Sequence, residues 1–158
     1  MKNHDCCNNI KFYWYKDNPI DECIITEKIY QIGQLLIDPL EDRVCVKDYV
    51  AKLIKYSDIC LCYDQIPENI TGIIALYAND YLNLISFISI FGVLQEYQGK
   101  KIGYNLLLNA IKFAHNKGMK EIILNVHKEN YKAIRLYQRF DFVEKSSSLN
   151  KYILSKIL

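Results

Sequence analysis

The sequence has no excess of charge of one sign and no hydrophobic run long enough to cross a bilayer. Its 20 Lys and Arg residues almost balance its 18 Asp and Glu residues, which leaves a formal net charge of +2. This charge is too small, and the lysines are too scattered, to indicate a nucleic-acid partner. No apolar segment approaches the ~20 residues of a transmembrane helix, and residues 1–9 lack the hydrophobic region of a signal peptide. We therefore expect a cytoplasmic protein with neither a membrane nor a nucleic acid as its partner.

The cysteines contain no Cys-x-x-Cys pair, the spacing that is typical of zinc and redox sites. They are Cys6, Cys7, Cys23, Cys45, Cys60 and Cys62. In a strand, Cys60 and Cys62 would point to the same face of the sheet. Buried reduced thiols are the expected state in a cytosolic protein, and we expect no metal site.

The succession of hydrophobic patterns predicts a single mixed α/β domain over residues 1–158, without an internal repeat or linker. Strands are predicted over residues 10–15, 59–63, 72–77, 85–91, 121–126, 141–143 and 151–154. Helices are predicted to end near residue 36 and to span residues 46–56, 100–116 and 131–140. Because a helix crosses between them, the strands at 85–91 and 121–126 should be parallel.

The segment from Ile88 to Leu107 joins a buried strand to a long helix through Gln98-Gly99-Lys100-Lys101-Ile102-Gly103. The first backbone N–H groups of a helix have no partner within it, and their partial positive charge favours a phosphate. The glycines remove side chains that would block a ligand, and the two lysines add positive charge. The pattern indicates a pyrophosphate-binding turn.

This turn resembles the acyl-CoA-binding signature of the GNAT superfamily of N-acetyltransferases, Gln/Arg-x-x-Gly-x-Gly/Ala, with Gln98 first and Gly103 last. Lys101 stands where the signature has its middle glycine. A lysine is acceptable there only if its φ stays negative, so Lys101 weakens the motif without removing it.

A second stretch also resembles this superfamily. Asn130 follows a predicted strand, and Ala133-Ile-x-x-Tyr137 leads to Asp141-Phe142, where the superfamily has Gly-Phe. Asp141 replaces that glycine in a turn, where aspartate tolerates unusual backbone angles.

The resemblance implies a GNAT-like fold, in which a central mixed sheet of six to seven strands is flanked by four helices. It also implies acetyl-CoA as the acyl donor, with its pantetheine arm between two parallel strands that splay apart, here residues 85–93 and 121–126. The residues expected to contact it are Phe91, Gly92, Val93, Gln98, Gly99, Lys100, Lys101, Ile102, Gly103, Tyr104, Asn130 and Tyr137.

The resemblance further implies direct attack of an amine on the acetyl carbonyl through a tetrahedral intermediate. A backbone N–H near Val93 or Leu94 would hold the oxyanion, and Tyr137 would act as the acid toward the thiolate. Otherwise Tyr137 is one aromatic residue of a buried helix face. Glu41 is the candidate base, since it lies with Asp42 in a loop that could reach the acceptor pocket.

Three other readings of the sequence remain open. The chain could be a protein N-terminal acetyltransferase, a non-catalytic acyl-CoA-binding module, or a small nucleotide-binding regulator with a chance match. Under the main hypothesis its partners are acetyl-CoA and a small amine, with a possible homodimer.

Overall fold

The chain folds around one seven-stranded sheet in which the strands lie in the order β1-β2-β3-β4-β5-β7-β6. The structure is a computed structural model and describes residues 10–37 and 39–158. The strands are β1 (Ile10–Trp14), β2 (Asp58–Asp64), β3 (Ile70–Asp80), β4 (Ile85–Val93), β5 (Glu121–His127), β6 (Val143–Ser147) and β7 (Lys151–Ile157). The helices are α1 (Glu22–Gln34), α2 (Val46–Tyr56), α3 (Ile102–Asn116) and α4 (Tyr131–Gln138). Cys6 and Cys7 lie outside the described residues.

The sheet separates two hydrophobic cores. Apolar residues of α1 and α2, such as Ile29 and Leu53, pack on one face of the sheet. Residues of α3 and α4, such as Leu106 and Tyr137, pack on the other face. Both Cys60 and Cys62 are buried free thiols in this second core, as predicted. The mixed α/β fold class is therefore confirmed.

The predicted order of helices and strands is also found, and the parallel pair is β4 with β5. The predicted strand at residues 141–143 is wrong, because Asp141 has a φ of 61° and cannot extend a strand. The strand β6 begins instead at Val143 and continues through polar, exposed residues that carry no alternating hydrophobic signal. The positive φ of Asp141 agrees with the expectation that this turn needs an unusual backbone angle.

Strands β4 and β5 pair along only part of their length. Their pairing runs from Ile85 opposite Glu121 to Ile88 opposite Leu124. Beyond that point β4 stays with β3, and β5 stays with β7 as far as His127. The two central strands therefore separate and leave a gap in the sheet, as the resemblance implied.

A β-bulge lies where this gap begins. Ile88 pairs with Leu76, and the next pair along is Ile90 with Ala75, so that Ser89 is an extra residue in β4. A bulge bends its strand and increases the local twist. We infer that the bulge at Ser89 turns β4 away from β5.

Candidate active site

The gap between β4 and β5 opens into a cavity of about 1230 Å³. Eleven of the residues expected to contact the acyl donor line it: Phe91, Gly92, Val93, Gln98, Gly99, Lys101, Ile102, Gly103, Tyr104, Asn130 and Tyr137. Lys100 is not in the cavity wall; its ammonium lies 4.7 Å from the centroid of the Tyr97 ring.

The backbone of β4 presents polar groups to the gap. The N–H of Leu94 donates to the carbonyl of Thr71 on β3 at 2.8 Å, so Leu94 faces its antiparallel partner. Along such a pair, successive residues alternate between facing the partner and facing away. The N–H and C=O groups of Val93 and Phe91 therefore point into the gap, where an extended amide chain can pair with them.

The turn before α3 has backbone N–H groups without protein acceptors. Helix α3 has no side-chain N-cap, and its first backbone hydrogen bond runs from the N–H of Asn105 to the carbonyl of Lys101. Within the described chain, the N–H groups of residues 101–104 donate to no protein acceptor. A diphosphate fits such a row of donors.

Lys101 does not meet the condition of a negative φ. Its φ is 60°, in the left-handed region that favours glycine, and it directly precedes the first residue of α3. The backbone of the turn thus has the conformation that the missing glycine would adopt freely. Gly99, with a φ of 81°, has no atom within 4 Å of a Cβ placed on it, so it is required for its backbone conformation.

Gln98 ties the turn to both sides of the gap. Its amide nitrogen donates to the carbonyl of Val93 at 3.2 Å, and its amide oxygen accepts from Lys132 Nζ on α4 at 2.6 Å. This bridge holds α4 beside the turn before α3.

Tyr137 lies in the wall of the cavity and is only 6 % exposed. Its ring centroid lies 6.2 Å from that of Phe91 on β4 and 5.7 Å from that of Phe142. Within the described residues its hydroxyl has no hydrogen-bond partner. Burial raises the pKa of this phenol, so it stays protonated at neutral pH.

A family model with the description "Acetyltransferase (GNAT) family" matches residues 27–142. The chain belongs to the GNAT family. It is an acetyltransferase that depends on acetyl-CoA.

Known GNAT proteins resemble the chain in sequence and in structure. It is 32% identical to a spermine/spermidine N(1)-acetyltransferase of Bacillus subtilis over 103 residues. The aligned segment covers 63% of this chain and 67% of that protein. A GNAT acetyltransferase of Elizabethkingia anophelis, solved with acetyl-CoA, superposes with a TM-score of 0.69 at 18% identity over 96% of this chain and 99% of its own. The paia N-acetyltransferase of Thermoplasma acidophilum, solved with coenzyme A, gives 0.70 at 17% identity over 94% and 99%.

Two residues with roles predicted from the sequence, Leu94 and Glu41, are not placed in this GNAT structure as those roles require. The N–H of Leu94 is already bonded to Thr71, so Leu94 does not supply an oxyanion donor. Glu41 lies beside the hydroxyl of Tyr30, whose pKa it raises through a hydrogen bond. In the described cavity wall its neighbours Leu40 and Arg43 are present and Glu41 is not.

Asn130 and His127 also line the cavity of this GNAT chain. The side chain of Asn130 accepts the N–H of Ala133 at 3.2 Å and so caps α4. His127 Nδ1 accepts the N–H of Glu129 at 3.2 Å. Within the described chain, no three His, Cys, Asp or Glu side chains are grouped to hold a metal ion. None of the described helices is long and apolar enough to cross a membrane.

Sequence reasoning missed two features of the site. One is the basic stripe of α4, where Lys132, Arg135 and Arg139 line the cavity at helical spacing; this periodicity is visible in the sequence. The other is the pair formed by Tyr49 on α2 and Ser89 on β4, whose hydroxyl oxygens lie 2.8 Å apart. Tyr49 falls on the apolar face of α2, and no local pattern predicts its contact with Ser89.

Proposed function

We propose that this chain transfers the acetyl group of acetyl-CoA to a primary amine of a small molecule. The observation that carries the proposal is that Tyr137, the strand β4 and the turn before α3 line one cavity. The similarity to a protein named as a spermine/spermidine N(1)-acetyltransferase supports a small amine as the acceptor.

The phosphate groups of the donor would bind at the N-terminus of α3. The N–H groups of residues 101–104 offer hydrogen bonds, and Lys132, Arg135 and Arg139 supply positive charge from α4. Charge-assisted hydrogen bonds to phosphate are stronger than neutral ones. The amides of the pantetheine arm would pair with Val93 and Phe91 along the open edge of β4.

The N–H of Phe91 is the proposed oxyanion donor. The arm starts at the turn and runs back along β4 past Val93, so the acyl group would lie near Phe91. The ring of Phe91 also lies beside the ring of Tyr137, so Phe91 and the proposed acid are neighbours in the cavity. Removing one donor of this kind typically costs about 3 kcal/mol of transition-state stabilisation.

Tyr137 is the proposed acid. When the tetrahedral intermediate collapses, the C–S bond breaks and the electron pair goes to sulfur. The phenol can donate its hydrogen to this developing thiolate. Full proton transfer from a free tyrosine to an ordinary thiolate is uphill by about 2 kcal/mol, and burial of Tyr137 increases this difference. Its contribution is therefore a hydrogen bond that strengthens as charge develops.

The attacking amine must lose a proton, and we propose that water relays it toward solvent. An alkyl ammonium with a pKa of about 10.4 is less than ~0.1% neutral at pH 7, whereas an α-amine with a pKa of about 8 needs little help. Glu41 remains the candidate final acceptor of that proton. If Glu41→Gln leaves the dependence of rate on pH unchanged, the carboxylate has no part in the reaction.

The test is release of free thiol from acetyl-CoA across a panel of amines, with Tyr137→Phe as the comparison of reduced activity. The panel should include a short peptide with a free N-terminus, because the chain could instead be a protein N-terminal acetyltransferase. Stabilisation against heat by acetyl-CoA must be measured in parallel. Binding of acetyl-CoA without acetylation of any amine would favour the non-catalytic alternative.

A further inference from the structure

One part of the cavity wall is formed by exposed apolar side chains. Leu35, Ile37 and Val44 are 47%, 46% and 39% exposed, and all three line the cavity from the connection between α1 and α2. Large apolar side chains that remain exposed around a concave site are typical of a surface that a ligand covers. We call these three residues the apolar rim.

The described part of the cavity wall offers no carboxylate to a second ammonium. No Asp or Glu is among the described lining residues. Four basic lining residues, Lys101, Lys132, Arg135 and Arg139, lie on the turn before α3 and on α4. The negative phosphates of acetyl-CoA suit this wall. A second ammonium on the acceptor would lose water without gaining a carboxylate from the described wall.

The pair of hydroxyl groups on Tyr49 and Ser89 offers a place for one amine. Both residues line the cavity, and Ser89 is the bulge residue where β4 leaves β5. Ser89 precedes Phe91 by two residues, which is about 7 Å along a strand. In the pair one hydroxyl donates to the other, and the remaining lone pairs can accept N–H groups. Burial raises the pKa of Tyr49 to about 12, so the pair stays neutral and serves as a hydrogen-bond acceptor rather than a base.

We propose that the acceptor is an amine with a single positive charge and an apolar body, which places its nitrogen at the Tyr49–Ser89 hydroxyl pair and its body against the apolar rim. This inference rests on the proposed function, acetylation of a small primary amine. It differs from the activity named for the Bacillus subtilis relative, whose substrates are polyamines.

A matched pair of substrates tests the charge requirement. Hexylamine and hexamethylenediamine have the same six-carbon chain and differ by a second amino group at its far end. We expect kcat/KM for hexylamine to exceed that for the diamine by about tenfold, and that for spermidine by more. Equal or better use of the diamine or of spermidine would overturn the inference and leave the proposed function intact. Failure to acetylate any small amine, with acetyl-CoA still bound, would contradict both.

Two variants test the placement of the acceptor. Tyr49→Phe removes a hydroxyl, and we expect KM for hexylamine to rise about tenfold, with kcat and the thermal shift by acetyl-CoA little changed. Val44→Asp puts a carboxylate on the apolar rim, and we expect the ratio of diamine to hexylamine use to rise about tenfold. The control is Leu82→Asp, since Leu82 is 90% exposed and is not among the lining residues. An unchanged KM in the first variant or an unchanged ratio in the second would count against the proposed binding mode.

Discussion

The rings of Phe91 on β4 and Tyr137 on α4 lie 6.2 Å apart, so a strand of the splayed pair and the candidate acid meet at one level of the cavity. The bulge at Ser89 separates β4 from β5, and the Gln98–Lys132 bond holds α4 next to the turn before α3. The proposed oxyanion donor and the proposed acid are therefore carried by different elements that line the same cavity. This arrangement gives the first prediction.

Tyr137→Phe should lower kcat by about a hundredfold, the lower range for loss of a positioned acid, while acetyl-CoA binding is retained. The reason is that only the hydroxyl is removed, whereas the ring contacts with Phe91 and Phe142 are kept. Steady-state thiol release gives kcat, and thermal stabilisation reports binding. Tyr131→Phe is the matched control, because Tyr131 lies on the same helix, is exposed and is not among the lining residues. Full activity of Tyr137→Phe would exclude the phenol as the acid.

Much of this site could be predicted from the sequence, because its parts are local. The apolar run of β4, the glycines after it and the periodicity of α3 are contiguous, so each follows from its own few residues. The bulge at Ser89 could not be predicted in this way. It depends on how β3 and β4 align across several pairs, and a serine within an apolar strand gives no signal of that alignment.

The acceptor side shows the same limit of local reasoning. Tyr49 and Ser89 are separated by 40 residues and meet only because the fold brings α2 and β4 to the same core. The backbone at Lys101 could not be predicted for a different reason. A lysine ordinarily avoids positive φ, but the fold holds a strained backbone at the turn before α3.

A second prediction concerns alkaline pH. Burial raises the pKa of the Cys60 thiol from 9.0 to about 12, and that of Cys62 to about 11. The unfolded chain then releases thiol protons that the folded chain keeps, so the stabilisation is complete below pH 9 and is lost as pH rises toward 11 or 12. Each thiol should lower the free energy of unfolding by about 1.4 kcal/mol per pH unit above its unfolded pKa.

Urea unfolding under reducing conditions, repeated between about pH 8 and pH 10.5, measures this slope. Cys60→Ala should make the slope shallower, whatever it does to the overall stability. A free energy that does not change across this range would mean that the thiols are not protected from ionisation in the fold.

A third prediction concerns two glycines at the cavity. A Cβ added to Gly92 would clash with Ile32 Cγ2, so β4 and α1 could not keep their present distance. Gly92→Ala should cost about 1–3 kcal/mol of stability, as overpacking typically does. At Gly103 the added Cβ would be 3.5 Å from its nearest neighbour, Phe91 Cζ, which is ordinary contact.

Gly103→Ala should therefore be neutral or stabilising by up to about 1 kcal/mol in the absence of ligand, since alanine favours a helix. Thermal unfolding of both variants without acetyl-CoA compares them directly. If the two substitutions destabilise the fold equally, the close approach of Ile32 is not the reason that position 92 needs a glycine.

The fourth prediction separates the two contributions of Lys101, its backbone conformation and its charge. A residue other than glycine is destabilised by about 1–2 kcal/mol in the left-handed region. Glycine avoids this cost, but it loses more backbone entropy on folding, which offsets part of the difference. Lys101→Gly should therefore raise the free energy of unfolding by up to about 1 kcal/mol. It should also weaken acetyl-CoA binding severalfold, because one positive charge is lost from the cavity wall.

Lys101→Ala removes the same charge but keeps the strained φ, so it should weaken binding similarly without stabilising the fold. Urea unfolding and a titration with acetyl-CoA give the two quantities, and equal stability of the glycine and alanine variants would show that the φ of 60° costs this fold nothing.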